Sequence, residues 1–208
     1  MDERVSIRAH FERFPATLKG AFVLRGADAD PHQVHIEVAR VSEMAGRSAQ
    51  PMGVEPVTLD VAPHLDLFVP FEAPLLDLGP GWYRLELEVV LDGDAGVVHP
   101  GERFAMPWPR GSMRRGSASV ASVVTMGSAS VTIEQVECTP DSVRVTYGAP
   151  SRVALSLAAD DVALPQIDEE FDQDAGRGRV VTYPAAKTQA RLSVTVRGAD
   201  KPLELDLP

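Results

Sequence analysis

The histidines are the first residues in this chain whose type and spacing could bind a metal ion. All five lie in the first half of the 208 residues, and His32 and His35 stand three apart, shortly after Asp28 and Asp30. Imidazole and carboxylate groups are common zinc ligands. In the strand predicted from Val34 onward, however, residues three apart point to opposite faces. The spacing favours turn and strand-edge residues, with a metal site at His32 and His35 as the alternative.

A second candidate metal site is the acidic segment 168–176, which contains five carboxylates. Its Asp-x-Asp-x-Gly pattern matches the opening half of a calcium-binding loop. The pattern is incomplete, because Ala175 stands where a further oxygen ligand is needed. The segment is therefore either a calcium site with ligands from Asp168, Asp172 and Asp174, or a solvated hairpin loop between two strands. The second interpretation is favoured.

No common catalytic motif occurs in the chain: it has no nucleophile elbow, phosphate-binding loop, dinucleotide fingerprint or zinc-protease signature. Serine, histidine and aspartate are frequent, so a triad assembled from distant strands stays open as an alternative. Cys138 continues the strand alternation after Val136, and a lone cysteine at an apolar position is most often a small buried hydrophobe. We therefore name no catalytic residue and expect no cofactor.

Aromatic and basic residues are the strongest candidates for binding. Trp108 lies between two prolines and is followed by Arg110, Arg114 and Arg115, and tryptophan and arginine are enriched in interface hot spots. Trp82 is a further candidate, because the alternation that buries the next residue turns Trp82 to the opposite face. The alternative for Trp108 is a structural one, in which it closes one end of the first domain and fixes the angle between two domains.

The charge of the chain argues against nucleic acid as a partner. The net charge is −10, whereas a protein that neutralises phosphates needs a basic face. The only dense basic group is formed by Arg110, Arg114 and Arg115. We expect another protein as the partner, and the acidity favours solubility.

Three features predict a cytoplasmic protein. Alternating residues begin directly at Val5, in place of the charged and apolar regions of a signal peptide. No apolar run approaches the roughly 20 residues that cross a bilayer, so no membrane partner is expected. Cys138 is the only cysteine and can form no intrachain disulfide, which is typical of a reducing compartment.

Apolar and polar residues alternate with a period of two along most of the chain. The clearest case is the run YRLELEV at 83–89, which has one buried and one solvated face if it forms a strand. The same period predicts strands in the first half at 5–11, 21–24, 34–38, 57–59, 65–69 and 97–104, and in the second half at 131–133, 143–147, 153–157, 180–183, 192–196 and 203–207. Sustained helical periodicity is lacking, so the fold class is all-β with little helix.

One corner of the first half resembles a known fold family. The run LGPGWYRL at 78–85 is similar to the passage from loop into strand in immunoglobulin and fibronectin type III domains, where a tyrosine hydroxyl bonds to upstream backbone. The resemblance implies that Tyr83 has this role and that the domain is a β-sandwich. It implies no function.

Strand spacing and composition predict two antiparallel β-sandwich domains in tandem. The first covers 1–106 and the second covers 128–208. Between them, 107–127 is rich in proline, glycine, serine and arginine, and we expect a linker or domain-joining segment there.

Three functions follow from these observations. The first is a non-catalytic interaction or scaffold protein, because sandwiches often carry binding surfaces and catalytic motifs are missing. The second is a small-ligand or carbohydrate-binding module that uses Trp82 or Trp108 as an apolar platform. The third is a hydrolase with a dispersed triad or a metal centre.

Overall fold

The computed structural model describes residues 4–46, 48–101, 103–126 and 129–208. Every regular element in these residues is a β-strand, and all strand pairs in the sheets are antiparallel. No helix that could cross a membrane occurs in this part of the chain. The contacts divide the chain into two compact units, Met1–Met106 and Pro107–Pro208.

The first unit contains two sheets. The three-stranded sheet has the order β1-β2-β6, and in the six-stranded sheet β3 and β7 are central, with β4 and β5 beside β3 and with β8 and β9 beside β7. The strands are β1 (Val5–Arg13), β2 (Thr17–Gly26), β3 (His32–Glu43), β4 (Ala49–Pro51), β5 (Val57–Val61), β6 (Asp66–Pro74), β7 (Gly81–Leu91), β8 (Asp94–Val98) and β9 (Phe104–Met106).

The two sheets of the first unit bury their inner faces in one hydrophobic core. Phe22 and Leu24 come from the three-stranded sheet, and Ile36 and Leu87 come from the six-stranded sheet. All four side chains are excluded from solvent. This arrangement is a β-sandwich, because alternate residues of each strand can be buried only by stacking one sheet on the other.

The second unit is built in the same way. Its sheets have the orders β10-β11-β12-β16-β15 and β14-β13-β17-β18, and they share a core that includes Ile133, Tyr147 and Leu192. The strands are β10 (Gly116–Met126), β11 (Ala129–Cys138), β12 (Val143–Gly148), β13 (Leu155–Ala159), β14 (Val162–Leu164), β15 (Gln166–Asp172), β16 (Arg177–Thr182), β17 (Arg191–Val196) and β18 (Leu203–Asp206).

The predicted all-β, antiparallel sandwich class is confirmed. The strand predicted at 97–104 is wrong as a single element, because β8 ends at Val98 and β9 begins at Phe104; Glu102 lies outside the described residues. The chain turns earlier, at Asp92 and Gly93, which both have positive φ angles. Asp-Gly is the preferred pair for a two-residue hairpin turn, so β8 starts at Asp94.

The predicted linker over 107–127 differs from the structure. Residues 116–126 form β10, which pairs with β11 along its whole length apart from one bulge. Serine and glycine weaken the strand signal there, but the valines at 120, 123 and 124 next to an established strand are enough for pairing. The predicted end of the linker falls on Gly127 and Ser128, which lie outside the described residues.

The corner predicted at Tyr83 is present. The buried Tyr83 hydroxyl donates a hydrogen bond to the carbonyl oxygen of Gly79 at 3.0 Å. The ring also stacks on Phe104 with a centroid distance of 5.8 Å. Tyr83 therefore connects the loop before β7 to the core of the first unit.

Candidate interaction surface

The solvent-facing side of the three-stranded sheet is a regular grid of side chains. Alternate residues of β1, β2 and β6 point to this side, and the strand register aligns them in rows that contain one residue from each strand. From one end to the other, the rows are Ser6, Arg25 and Asp66; Arg8, Val23 and Phe68; His10, Ala21 and Pro70; and Glu12, Lys19 and Glu72. We call these residues the β1-β2-β6 face.

The inner residues of the same strands determine which side chains point outward. Ile7, Phe22 and Phe71 are buried in the core, and each occupies the position next to a residue of the β1-β2-β6 face. A shift of one residue in the register would expose this apolar set and bury the charged one. The composition of the face is therefore fixed by the packing of the core.

The two central rows of the face are largely apolar. Phe68 lies on the edge strand β6 opposite Val23, with Pro70 and Ala21 in the next row, and its exposed fraction is 62%. Full burial of a phenylalanine side chain is worth about 2 kcal/mol, and in the isolated chain Phe68 does not gain most of this free energy. A contiguous apolar patch of this kind on a sheet face is typical of a binding surface.

Ion pairs border the patch at both ends. Lys19 Nζ lies 3.1 Å from Glu72 Oε2, and Arg25 Nη1 lies 3.5 Å from Asp66 Oδ1. All four side chains are exposed, so each pair contributes little to stability. Their position gives the face an apolar centre with a polar rim, the usual anatomy of a protein interface.

Arg8 provides a positive charge beside the apolar centre. It lies on β1 opposite Val23 of β2, so that Val23 separates Arg8 from Phe68 on the same face. Within the described residues, its guanidinium has no ion-pair or hydrogen-bond partner. A carboxylate on a bound partner could therefore pair with Arg8 without first displacing a carboxylate of this chain.

A groove of about 1050 Å³ adjoins the face at the β1 edge. Phe11 and Phe14 contribute aromatic surface to it, and Phe14 is exposed. The residues common to the groove and the β1-β2-β6 face are Arg8, His10, Glu12 and Lys19. The groove extends the apolar surface available to a partner beyond the sheet itself.

The free edge of β6 is closed to strand pairing. Pro70 and Pro74 lie in this edge strand, and proline has no backbone N–H to donate to a further strand. A partner can therefore use the side chains of the face more readily than the backbone of this edge.

The outer side of the six-stranded sheet has a different character. The Arg40 guanidinium contacts the carboxylates of both Glu86 and Glu88, and these contacts raise the pKa of Arg40 further. The charges of Arg40, Glu86 and Glu88 thus largely neutralise one another. Val38 and Val97 on this side are also exposed. Within the described residues, Arg40 differs from Arg8 in having carboxylate partners.

Comparison with known proteins gives no functional relative. No family model and no curated protein matches this chain. Several solved structures show a distant likeness, among them the following two. A conserved domain protein from Bacillus anthracis has 11% identity and a TM-score of 0.40, over all of this chain and 89% of that one. A marsupial T cell receptor has 12% identity and a TM-score of 0.28, over 99% of this chain and 62% of that one.

The two tryptophans are both half-buried. Trp82 lies on β7 opposite Ala105 of β9. Trp108 packs edge-on against Tyr183, with ring centroids 5.8 Å apart and an interplanar angle of 81°. Neither indole lines the groove beside Arg8. Trp108 thus has an internal packing partner within the second unit.

The three arginines after Trp108 have different environments. Arg110 and Arg115 are exposed. Arg114 is half-buried and donates hydrogen bonds to the carbonyl oxygens of Gln189 and Leu207. The Arg114 guanidinium thus binds the backbone at Gln189 and Leu207. Arg110 and Arg115 are the arginines of this group that are available to a partner.

The structure separates His32 from His35. Both ring nitrogens of His32 lie 2.7 Å from carboxylate oxygens, of Asp28 and Asp92. His35 Nδ1 lies 2.8 Å from the Thr58 hydroxyl instead. Among the described residues, no group of three or more histidine, cysteine or acidic side chains has a metal-binding arrangement. The two histidines thus have separate partners.

The acidic segment is half strand and half turn. Asp168 and Asp172 belong to β15, and Asp172 Oδ1 accepts hydrogen bonds from the backbone N–H groups of Asp174 and Ala175 at 3.0 and 3.1 Å. Asp172 therefore closes the hairpin turn to β16, as expected of aspartate in turns. Asp168 lies at the other end of the strand, well separated from Asp174.

The remaining carboxylates of β15 form separate ion pairs across the sandwich surface. Glu169 Oε1 lies 2.9 Å from Arg152 Nε, and this hydrogen bond is the largest cause of the lowered pKa of Glu169. Glu170 Oε2 lies 2.8 Å from Arg179 Nη2. Glu169 and Glu170 thus pair with different arginines, and the carboxylates of the segment do not converge on one point.

Cys138 has the environment of a structural residue. It is buried in the core of the second unit, and burial raises the pKa of its thiol to about 11. The thiolate, which is the nucleophilic form, is therefore scarce at neutral pH. His32, for its part, has both nitrogens engaged by carboxylates and cannot accept a proton from a serine or cysteine in this arrangement.

Sequence reasoning missed the residues at the centre of the β1-β2-β6 face. The alternation at 65–69 predicts a strand, and the buried positions of that strand determine which residues face outward. Because Phe71 and Ala73 are buried, Asp66, Phe68 and Pro70 must face outward. A phenylalanine at a solvent-facing position of an alternating strand is the signal that identifies this surface.

Proposed function

We propose that this protein is a non-catalytic interaction module that binds another protein through the β1-β2-β6 face. The observation that carries the proposal is the exposure of Phe68 in an apolar patch that ion pairs border at both ends. Aromatic residues at the centre of such patches are the usual anchors of protein interfaces. We further propose that binding takes place in the cytoplasm, where a free thiol such as that of Cys138 stays reduced.

The chemistry of the face defines the partner that it fits. An apolar side chain of the partner would cover Phe68, Val23 and Pro70. A carboxylate of the partner would pair with the unpartnered guanidinium of Arg8, and such a pair adds specificity and association rate more than affinity. The partner is thus a protein with an apolar residue next to an acidic one on its surface.

Site-specific crosslinking in an extract of the native cytoplasm tests the proposal. A photoreactive benzoylphenylalanine replaces Phe68, which keeps an aromatic ring at this position of the face. We expect a discrete adduct with one protein after irradiation, identified by mass spectrometry. The adduct should be lost when Arg8→Glu is added, because this change places a negative charge opposite the partner's carboxylate.

The matched control places the same crosslinker at Val97. This residue lies on β8 of the other sheet and is exposed to a similar extent, 56%. No adduct with the same protein should form there. Equal adducts at both positions, or none at position 68, would show that the face is not a docking surface.

A further inference from the structure

Strand β10 is an open edge of the five-stranded sheet in the second unit. It contains 11 residues and pairs with β11 on one side. Within the described residues, no strand lies on its other side. The outward N–H and C=O groups of an edge strand are a template for a further strand.

The other long edges of this unit carry charges that discourage such pairing. The opposite edge of the same sheet, β15, contains Asp168, Glu169, Glu170 and Asp172. The edge strand β18 of the second sheet contains Glu204 and Asp206. In contrast, β10 contains neither a charged residue nor a proline, which are the residues that usually protect an edge.

A bulge divides β10 into two parts. The register with β11 shifts between Ser119 and Ser122, and Ala121 in the bulge has a φ of +49°. The part from Ser122 to Met126 keeps regular pairing, from Ser122 opposite Ile133 to Met126 opposite Ala129. This five-residue part is the stretch that can accept another strand.

A groove lies beside this regular part. Its volume is about 320 Å³, and its walls are Val123, Val124 and Thr125 on one side and residues 199–203 on the other. Val123 is 60% exposed. The space next to this part of the edge is therefore open, and its far wall is the segment 199–203, which carries Asp200 and Lys201.

We propose that β10 of a second copy of this chain pairs antiparallel with β10 and joins two five-stranded sheets into one. A second copy brings the same uncharged and unprotected strand to this edge. The chain carries a net charge of −10, so two copies repel each other over most of their surface. The uncharged β10 edge is where they can approach with the least repulsion, and two identical uncharged strands bring no like charges together.

Two-fold symmetry sets the geometry of the pair. An axis near Val124 would place Val123 of each copy opposite Thr125 of the other, and both residues are exposed in the single chain. Each contact then occurs twice, as in any isologous interface. Lysine at both positions would place two pairs of like charges directly opposite each other.

Sedimentation velocity of the full chain over a range of micromolar concentrations tests the proposal. We expect the wild type to shift from a mass of 22.4 kDa towards twice that value as concentration rises. Added salt should strengthen the association, because it screens the repulsion between the acidic copies. The variant Val123→Lys with Thr125→Lys should stay monomeric throughout.

The matched control is Val162→Lys with Ala163→Lys on β14. These two changes add the same charge as the β10 variant to another edge strand of the same unit, where Val162 is 59% exposed. The control should dimerise like the wild type. A wild type that is monomeric at every concentration, or a dimer unaffected by the lysines in β10, would overturn the proposal.

Discussion

The Nδ1 atom of His32 lies 2.7 Å from Oδ2 of Asp92. On the other side of the ring, Nε2 lies 2.7 Å from Oδ1 of Asp28, and only 7% of the His32 surface is exposed. The hydrogen bond to Asp92 and then that to Asp28 raise the pKa of His32. The imidazolium therefore connects the start of β3 to the turn between β7 and β8.

This contact predicts a pH-dependent contribution to stability. His32→Gln should lower the free energy of unfolding in mildly acidic solution, where the imidazolium and both carboxylates are charged. Because the pKa of His32 is raised in the folded state, its protonated form stabilises the fold fully below the unfolded-state pKa of 6.5. This stabilisation is lost as the pH rises through the higher folded-state pKa. Urea unfolding at about pH 5 and about pH 8 should show a larger difference from the wild type at the lower pH.

The carboxylates of Asp28 and Asp92 determine the acidic pH at which this stabilisation is lost. The hydrogen bond to His32 lowers the pKa of Asp28. The pKa of Asp92 is lowered chiefly by the hydrogen bond from the backbone of Gln33. Their contribution is present above the unfolded-state value of 3.8 and is lost as the pH falls through the folded-state values. His35→Gln is the control, because His35 contacts a hydroxyl group. A pH-independent effect of His32→Gln would contradict the charged bridge.

Tyr83→Phe tests the corner before β7. The change keeps the ring on Phe104 and removes the hydroxyl that donates to the Gly79 carbonyl oxygen. We expect the free energy of unfolding to fall by about 1 kcal/mol, the usual net value of such a hydrogen bond. Chemical denaturation measures it, and an unchanged midpoint would show that the hydroxyl does not stabilise the first unit.

Gly178→Ala tests the packing of the second unit. A Cβ atom at this position would lie 2.2 Å from the Cζ atom of Tyr147, whose ring is fully buried. We expect a loss of about 3 kcal/mol in the free energy of unfolding, because the ring must move within a filled core. Gly96→Ala is the control, since no heavy atom lies within 4 Å of its added carbon. A similar loss for both variants would contradict this account of the core.

Thiol labelling tests the burial of Cys138. With a pKa of about 11 and a buried side chain, the native thiol should react with iodoacetamide only when the second unit opens. The labelling rate at about pH 8 should rise steeply when urea populates the unfolded state. Rapid stoichiometric labelling of the native protein would show that Cys138 is accessible and reactive.

The alternation of side chains was sufficient to predict most of the long strands. The runs at 5–11, 83–89 and 192–196 all lie within observed strands, because a two-residue period can bury one face only in a sheet. The strands that were missed carry a weaker signal. In β10 serine and glycine replace larger residues. In β15 ion pairs with Arg152 and Arg179 compensate for carboxylates that look like loop residues in the sequence.

The candidate site depends on register, which a single sequence does not provide. Phe68 and Arg8 lie in the same row only because β2 connects β1 to β6 through Val23. The residues 8 and 68 are distant along the chain, and neither belongs to a motif. Residue type alone identifies the tryptophans as candidates, whereas the exposed phenylalanine is identified only by the phase and the pairing of three strands.

Affinity for the protein captured by the crosslinker at position 68 tests the central claim most directly. We expect Phe68→Ser to weaken binding at least about tenfold, equivalent to about 1.4 kcal/mol, with the chain still folded by circular dichroism. Val97→Ser, an equally exposed change on the other sheet, should leave the dissociation constant unaltered. Equal affinities for Phe68→Ser and the wild type in calorimetric titration would contradict the proposal that this protein binds its partner through the β1-β2-β6 face.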